Sequence, residues 1–133
     1  MCELVEKAKK HPILTGVGEG KFESGGSLYL TDLEAGCKPL VVGTGSSKAR
    51  LIEGKFGTMY LQETETDILA WTWENVFGAK VFASSFGHVD DFGSPQIMRI
   101  MVNGIHWAAG VAVPSPDTEI KTFDLEDPDH PRK

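Results

Sequence analysis

The sequence predicts an α/β fold: a sheet whose visible strands are partly antiparallel, with one long helix packed on it. Three stretches carry that prediction. Gly78 to Gly110, GAKVFASSFGHVDDFGSPQIMRIMVNGIHWAAG, reads as a strand, a tight loop carrying Gly87-His88, and a capped amphipathic helix. Pro39 to Thr44, PLVVGT, is a continuous apolar run that suits a strand buried on both faces. Asp67 to Trp73 (DILAWTW) is a further strand, beside Lys80 to Phe86 (KVFASSF), the strand of the first stretch. Val76-Phe77-Gly78-Ala79 separates these two by little more than a turn, which predicts an antiparallel hairpin.

Taken in order, Glu3 to Glu6 is a short apolar-containing run, a strand or the first turn of a helix. Lys10-His11-Pro12 ends it, because the residue before proline is pushed out of the helical region. Ile13 to Gly20 is loop-like. Ser27 to Thr31 (SLYLT) carries β-favouring residues and is expected to be a strand. Leu33 to Lys38 is a turn region around Gly36. Gly45 to Gly57 is polar and glycine-bearing and is expected to be a loop or short excursion, with a short strand at Thr58 to Gln62.

The helix is the best-marked element. Ser94 can accept from the first-turn N–H groups, and Pro95 fits the first helical position. Ile97, Ile100, Met101, Gly104, Ile105 and Ala108 recur at three- and four-residue spacing and predict one apolar face. Gly104 on that face would let the helix lie close to the sheet, and Gly110 supplies a left-handed stop. Residues 112–133 are different. Pro114, Pro116, Pro128 and Pro131 fall among Asp117, Glu119, Asp124, Glu126, Asp127 and Asp129. Such a segment buries too little apolar surface to order itself, and is expected to be a tail or linker in which Ile120 to Leu125 could pair with an edge. No internal repeat is present.

The chain has 133 residues, room for one ordinary domain and not for two. A net charge of −6 argues against nucleic acid as a partner, since the one basic cluster, Lys7, Lys9 and Lys10, has Glu3 and Glu6 among it. No stretch is long and apolar enough to span a bilayer, so no membrane role is expected. MCELVEKAKK has no apolar core of a secretory signal. Cys2 and Cys37 make neither a disulfide framework nor a zinc pair, and two reduced thiols favour the cytoplasm. No metal or cofactor is expected.

Four stretches carry a likeness to a known family: His11-Pro12-Ile13 with Gly16, Leu28-Tyr29, Ala70-Trp71-Thr72, and Phe82 to His88 followed by Asn103-Gly104-Ile105-His106-Trp107-Ala108. In that order they resemble the HPI turn, the LY strand, the W-T strand and the S-x-GH and NGI-x-WA block of the ThuA-like (trehalose utilisation) domain. That domain belongs to the class I glutamine amidotransferase-like superfamily. The resemblance implies a flavodoxin-like three-layer α/β sandwich of which residues 1–111 would be the C-terminal portion. The first parallel strands and the nucleophile elbow would lie in the other half. Gly45 to Thr66 would be an insertion. An incomplete sheet would leave an open edge and lead to homo-oligomers. The resemblance further implies a role in carbohydrate metabolism, with a sugar or oxidised sugar as the small-molecule partner.

His88 is the first candidate catalytic residue. It sits on a loop at a strand end, where α/β proteins place ligands. The resemblance implies a base there with an acid two residues on, and Asp90 is at that position. A carboxylate on one ring nitrogen would orient the imidazole for isomerase-like proton abstraction. The competing reading makes His88 a loop cap and Asp90 a solvated turn residue. No G-x-S-x-G or G-x-C-x-G elbow is present, so a nucleophile of this chain alone is not expected. Three residues are candidates for substrate binding. Ser85, on the strand leading to His88, could line the site or simply pack the sheet. His11 could face the same pocket or be a turn histidine. Trp73 could stack on a sugar ring, with Trp71 and Trp107 expected in the core. His106, off the apolar helix face, is expected at the surface, and His130, in the tail, is expected to be inert. A non-catalytic sugar-binding or interaction domain, and an amidotransferase completed by a missing half, are the alternatives to a sugar-modifying enzyme.

Overall fold

The computed structural model describes residues 1–47, 50–55 and 57–126. Pro128, Pro131, Asp127, Asp129 and His130 lie outside the described residues. Among the described residues six strands are formed: β1 (Cys2–Leu4), β2 (Lys38–Ser46), β3 (Arg50–Gly54), β4 (Gly57–Leu61), β5 (Thr64–Glu74) and β6 (Lys80–Ser84). One α-helix, α1 (Pro95–Ala108), follows a 3-10 turn over Val89–Gly93, and two more 3-10 turns span Glu6–Ala8 and Pro12–Leu14.

The main sheet has the order β1-β2-β5-β6, and each neighbouring pair is antiparallel. The fold therefore mixes helix with antiparallel sheet. A flavodoxin-like sandwich needs parallel strands joined by helices on both faces. Among the described residues no parallel pair is formed and a single α-helix is present, so that sandwich is not what the chain builds here.

Strand alternation assigns the two faces of the sheet. Ala70 pairs with Ser84, and Thr72 pairs with Phe82. Ser84 Oγ lies 3.5 Å from Met101 Sδ, and Gly104 meets the Phe82 ring, so this face carries α1. Ile13, Leu40, Val41, Ala70, Ile97 and Ile100 are almost fully buried in the core between helix, sheet and the Pro12–Leu14 turn. The opposite face carries Trp71 and Trp73 and is covered in part by the coil from Leu28 to Cys37. Leu28 lies on Gly45 there, and Gly36 lies near Trp73.

The capping expected of Ser94, Pro95 and Gly110 is present. The Ser94 hydroxyl accepts from Ile97 N–H at 3.4 Å, and Gly110 takes φ 73°. The apolar face is rotated from the expected one. Ile105 is 64% exposed and Ala108 is exposed, while Asn103, Gly104 and Trp107 are buried. The helix turns Ile100, Asn103, Gly104 and Trp107, an i, i+3, i+4, i+7 set, towards the sheet and the Pro12–Leu14 turn.

Two further expectations are corrected. Ser27 to Thr31 is not a strand. Tyr29 and Leu30 are both exposed, so no alternation is buried, and the backbone is held by a side chain instead. Thr31 N–H donates to Asp67 Oδ2 at 2.9 Å, and Thr31 Oγ1 to Asp67 Oδ1 at 3.0 Å. The described residues of the stretch from Gly45 to Gly57 are largely strand rather than loop. They finish β2 and form β3, which pairs with β4 in a separate two-stranded ribbon.

Residues 113–123 are docked rather than loose. Val113 packs against the core. The buried Arg99 guanidinium donates to the carbonyl oxygens of Ser115 (3.0 Å), Pro116 (3.4 Å) and Thr118. It supplies donors to a proline-bearing segment that has few of its own. Phe123 N–H donates to Phe92 O at 2.8 Å, a single bond and not a strand pairing of Ile120 to Leu125.

Candidate functional site

The His88 loop begins where β6 ends. Ser85 N–H still donates to Leu69 O at 2.9 Å, Phe86 is buried, and Gly87 takes φ 148°. His88 then caps the 3-10 turn Val89–Gly93. Its Nδ1 accepts from Asp90 N–H at 3.2 Å. Asp91, three residues on, completes the reciprocal arrangement by accepting from His88 N–H at 3.1 Å.

Asp91 organises the region. It is 2% exposed, and its carboxylate accepts from four donors. Oδ2 takes Gly87 N–H (2.9 Å) and His88 N–H (3.1 Å); Oδ1 takes Ser24 Oγ–H (2.8 Å) and Gly25 N–H (3.0 Å). The segment around Ser24 is thereby fixed against the loop. Gly25 lies so close that a Cβ there would be 2.6 Å from His88 Nδ1 and 2.7 Å from Asp90 Cβ.

His88 Nδ1 also lies 3.5 Å from Asp90 Oδ2, with the two side chains 39% and 49% exposed. The proximity expected of the pair is present, but the tautomer differs from triad logic. A ring that accepts at Nδ1 carries its proton on Nε2 and presents a donor there. General-base action at Nε2 would require a proton on Nδ1, facing the carboxylate, and loss of the bond from Asp90 N–H. Ser85 Oγ donates to Leu69 O at 3.5 Å and is not aligned with His88 as a nucleophile.

Beside this loop is a cleft of about 500 Å³ lined by Gly26, Ser27, Leu28, Gly45, Ser46, Ser47, Glu63 and Glu65, with Leu30 at one side. A smaller hollow of about 70 Å³ shares Gly26, Ser27, Leu28 and Gly45 with it and reaches inwards to Ser24, Ser85 and Phe86. Ser85 is one of the residues lining that smaller hollow.

His11 and Trp73 are elsewhere. His11 caps the Pro12–Leu14 turn, its Nδ1 accepting from Ile13 N–H at 3.3 Å, and its ring lies 5.2 Å from that of Trp107. Trp107 belongs to the C-terminal half of α1, whereas His88 precedes the N-terminus of that helix, so the two histidines do not share a pocket. Burial holds the His11 imidazole below its ordinary value, and the charges of Lys38 and Lys80 add to this against an opposing pull from Glu74. Trp73, 37% exposed, borders a hollow of about 250 Å³ with Trp71, Val81, Cys37 and Asp32. Trp107 is in the core as expected, and Trp71 is half-buried. His106 is half-buried, with its Nδ1 2.8 Å from Ala112 O.

Several residues that matter were not marked by spacing. Asn103 is fully buried, and its amide donates to the carbonyl oxygens of both Ile13 and Thr15 at 2.9 Å. The Asp91 knot had one available signal, a histidine with an acid three residues on, which is capping-box spacing. Glu63 and Glu65 had none.

Among the described residues no three His, Cys, Asp or Glu side chains come together to hold a metal ion. No helix among them is long and apolar enough to cross a membrane. No protein-family model matches the chain, and no curated protein or solved structure matches it either.

Proposed function

We propose that the chain is a ThuA-like domain that binds a sugar or sugar derivative in the cleft beside the His88 loop. The observation that carries this reading is the lining of that cleft: Ser27, Ser46, Ser47, Glu63 and Glu65 around about 500 Å³. Sugar hydroxyls both donate and accept, so they suit a wall of hydroxyls and acceptor-only carboxylates. The volume is in the usual range for a small-molecule site. The contacts between the stretches that resemble the family support the reading too. The His11 ring lies on Trp107, and Asn103 holds the Ile13 and Thr15 carbonyls, so the HPI turn and the NGI-x-WA helix are one structural unit.

On this reading the serines and glutamates bind the sugar, and His88, on the neighbouring loop, acts first by packing against the Gly25–Gly26 segment that leads into the cleft wall. The finer fold assignment is part of the same proposal: residues 1–111 as the C-terminal portion of a flavodoxin-like domain. It is supported by the outer edge of β6, which among the described residues has β5 as its one neighbour. The second reading is an isomerase-like enzyme with His88 as general base, favoured by the 3.5 Å approach of Asp90. Calorimetric titration with trehalose and with an oxidised disaccharide tests binding, in the wild type and in Glu63→Ala and Glu65→Ala. Binding lost in the variants supports the reading, and absence of binding by the wild type refutes it. Turnover of the bound sugar, abolished in His88→Ala with binding retained, would favour the enzyme.

A further inference from the structure

A second cavity lies at the other end of β2. It has a volume of about 510 Å³ and is lined by Val5, Lys7, Ala8, His11, Cys37, Lys38, Pro39 and Leu40. It shares no residue with the serine and glutamate cleft. Lys38 and Ser46 are the two ends of β2, about 25 Å apart at the rise of a strand. We propose that this cavity binds a small monocarboxylate with an apolar body, by its carboxylate group at Lys7, Lys38 and His11.

The walls define the body of the ligand. Val5, Ala8 and Pro39 offer an apolar surface backed by the buried Leu40, and no acceptor-rich side chain. The rim defines its charge. The protein carries 19 acidic against 13 basic residues, yet no Asp or Glu lines this cavity. Lys9 and Lys21 are ion-paired to Glu6 and Glu3, whereas among the described residues neither Lys7 nor Lys38 has such a partner. Lys80 adds positive charge nearby, its ammonium 5.1 Å from the Trp107 ring on which His11 packs. Glu74 is the acidic group that opposes these charges at His11. His11 itself is oriented as a donor: with Nδ1 occupied by Ile13 N–H, the neutral ring carries its proton on Nε2. The shift of the ring is in the same direction, since burial first and then the charge of Lys38 disfavour its protonated form. A compact, strongly hydrated anion such as phosphate would leave the apolar walls unused.

Hexanoate is the probe, with hexanol and inorganic phosphate as comparators and trehalose as the control for the other cleft. Affinity is read from amide chemical-shift titration. Location is read from the Lys7 and His11 amides together with the rate of Cys37 alkylation by iodoacetamide, since Cys2 is only 1% exposed and Cys37 lines both this cavity and the Trp73 hollow, whereas Lys7 and His11 line this cavity and not that hollow. Hexanoate is expected to shift the Lys7, His11 and Lys38 amides and to slow Cys37 alkylation. Lys38→Glu, a change at an exposed side chain, is expected to weaken hexanoate about tenfold or more and to leave hexanol unchanged. Trehalose is expected to protect nothing here. Equal effects of hexanol and hexanoate, tighter binding of phosphate, or no response to hexanoate would each overturn the proposal. A trehalose response confined to the serine and glutamate cleft leaves the two sites independently testable.

Discussion

Asp91 and Ser24 are joined by a 2.8 Å hydrogen bond across 67 positions of the chain. That bond, with its neighbour from Gly25, fastens the segment that walls the cleft to the loop that carries His88. The sugar-binding reading uses this tie, since it holds the residues leading into Gly26, Ser27 and Leu28, one wall of the cleft.

Replacing Asp91 should therefore loosen both pieces. Asp91→Ala leaves the Ser24, Gly25, Gly87 and His88 donors without their acceptor, and a loss of about 2–4 kcal/mol in folding stability is expected. Asp91→Asn keeps one oxygen and should cost roughly half as much. Urea denaturation of the two variants checks this. Equal stability of Asp91→Ala and the wild type would remove Asp91 as the organiser of the loop.

Gly104 is a packing position. A Cβ there would lie 2.3 Å from Phe82 Cδ1 and 2.4 Å from Cε1. Alanine favours the helix by about 1 kcal/mol over glycine, but overpacking costs typically about 1–3 kcal/mol, so Gly104→Ala should be destabilising on balance. Phe82→Leu removes the ring edge, and the double variant should recover part of the loss. Thermal unfolding of the four proteins in the cycle measures the coupling. Strict additivity would contradict the close contact.

His11 should make stability depend on pH with a defined sign. Its folded value lies below the ordinary 6.5 because of burial first, then Lys38 and Lys80. Over the window between the two values the unfolded chain binds the extra proton. The contribution is thus fully present above about 6.5 and is lost as pH falls through the folded value. The urea midpoint of the wild type should drop more steeply between pH 7.5 and 5 than that of His11→Gln. Parallel profiles would mean that His11 titrates alike folded and unfolded. A direct NMR titration of the ring should place its midpoint below that of a model imidazole.

Much of the fold was legible where local chemistry decides it. Ser94, Pro95 and Gly110 mark both ends of α1, and the short link after Glu74 marks the β5–β6 hairpin. The errors arise where tertiary contact overrides pattern. Asn103 is polar by type but fully buried, because its amide serves the Pro12–Leu14 turn, so the helix face read from hydrophobicity alone was rotated towards Ile105. Ser27 to Thr31 has strand-forming residues, yet Asp67 takes its backbone bond. β3 and β4 form a ribbon outside the main sheet, which gives an alternating pattern no core to register against. At the site, the His88 loop was visible as a motif. The cleft was not, because its walls come from residues 26–28, 45–47 and 63–65, and no spacing rule connects segments that meet only through the folded sheet.

The most direct test of the account is an amide chemical-shift titration of the full chain with trehalose. The expected result is saturable shifts at Gly26, Ser27, Gly45, Ser46 and Ser47, weakened in Glu63→Ala and Glu65→Ala, with the Lys38 end of β2 unaffected. The account is contradicted if those amides do not move up to about 50 mM sugar, well beyond the range of a specific site, or if the shifts gather at the His11 cavity instead.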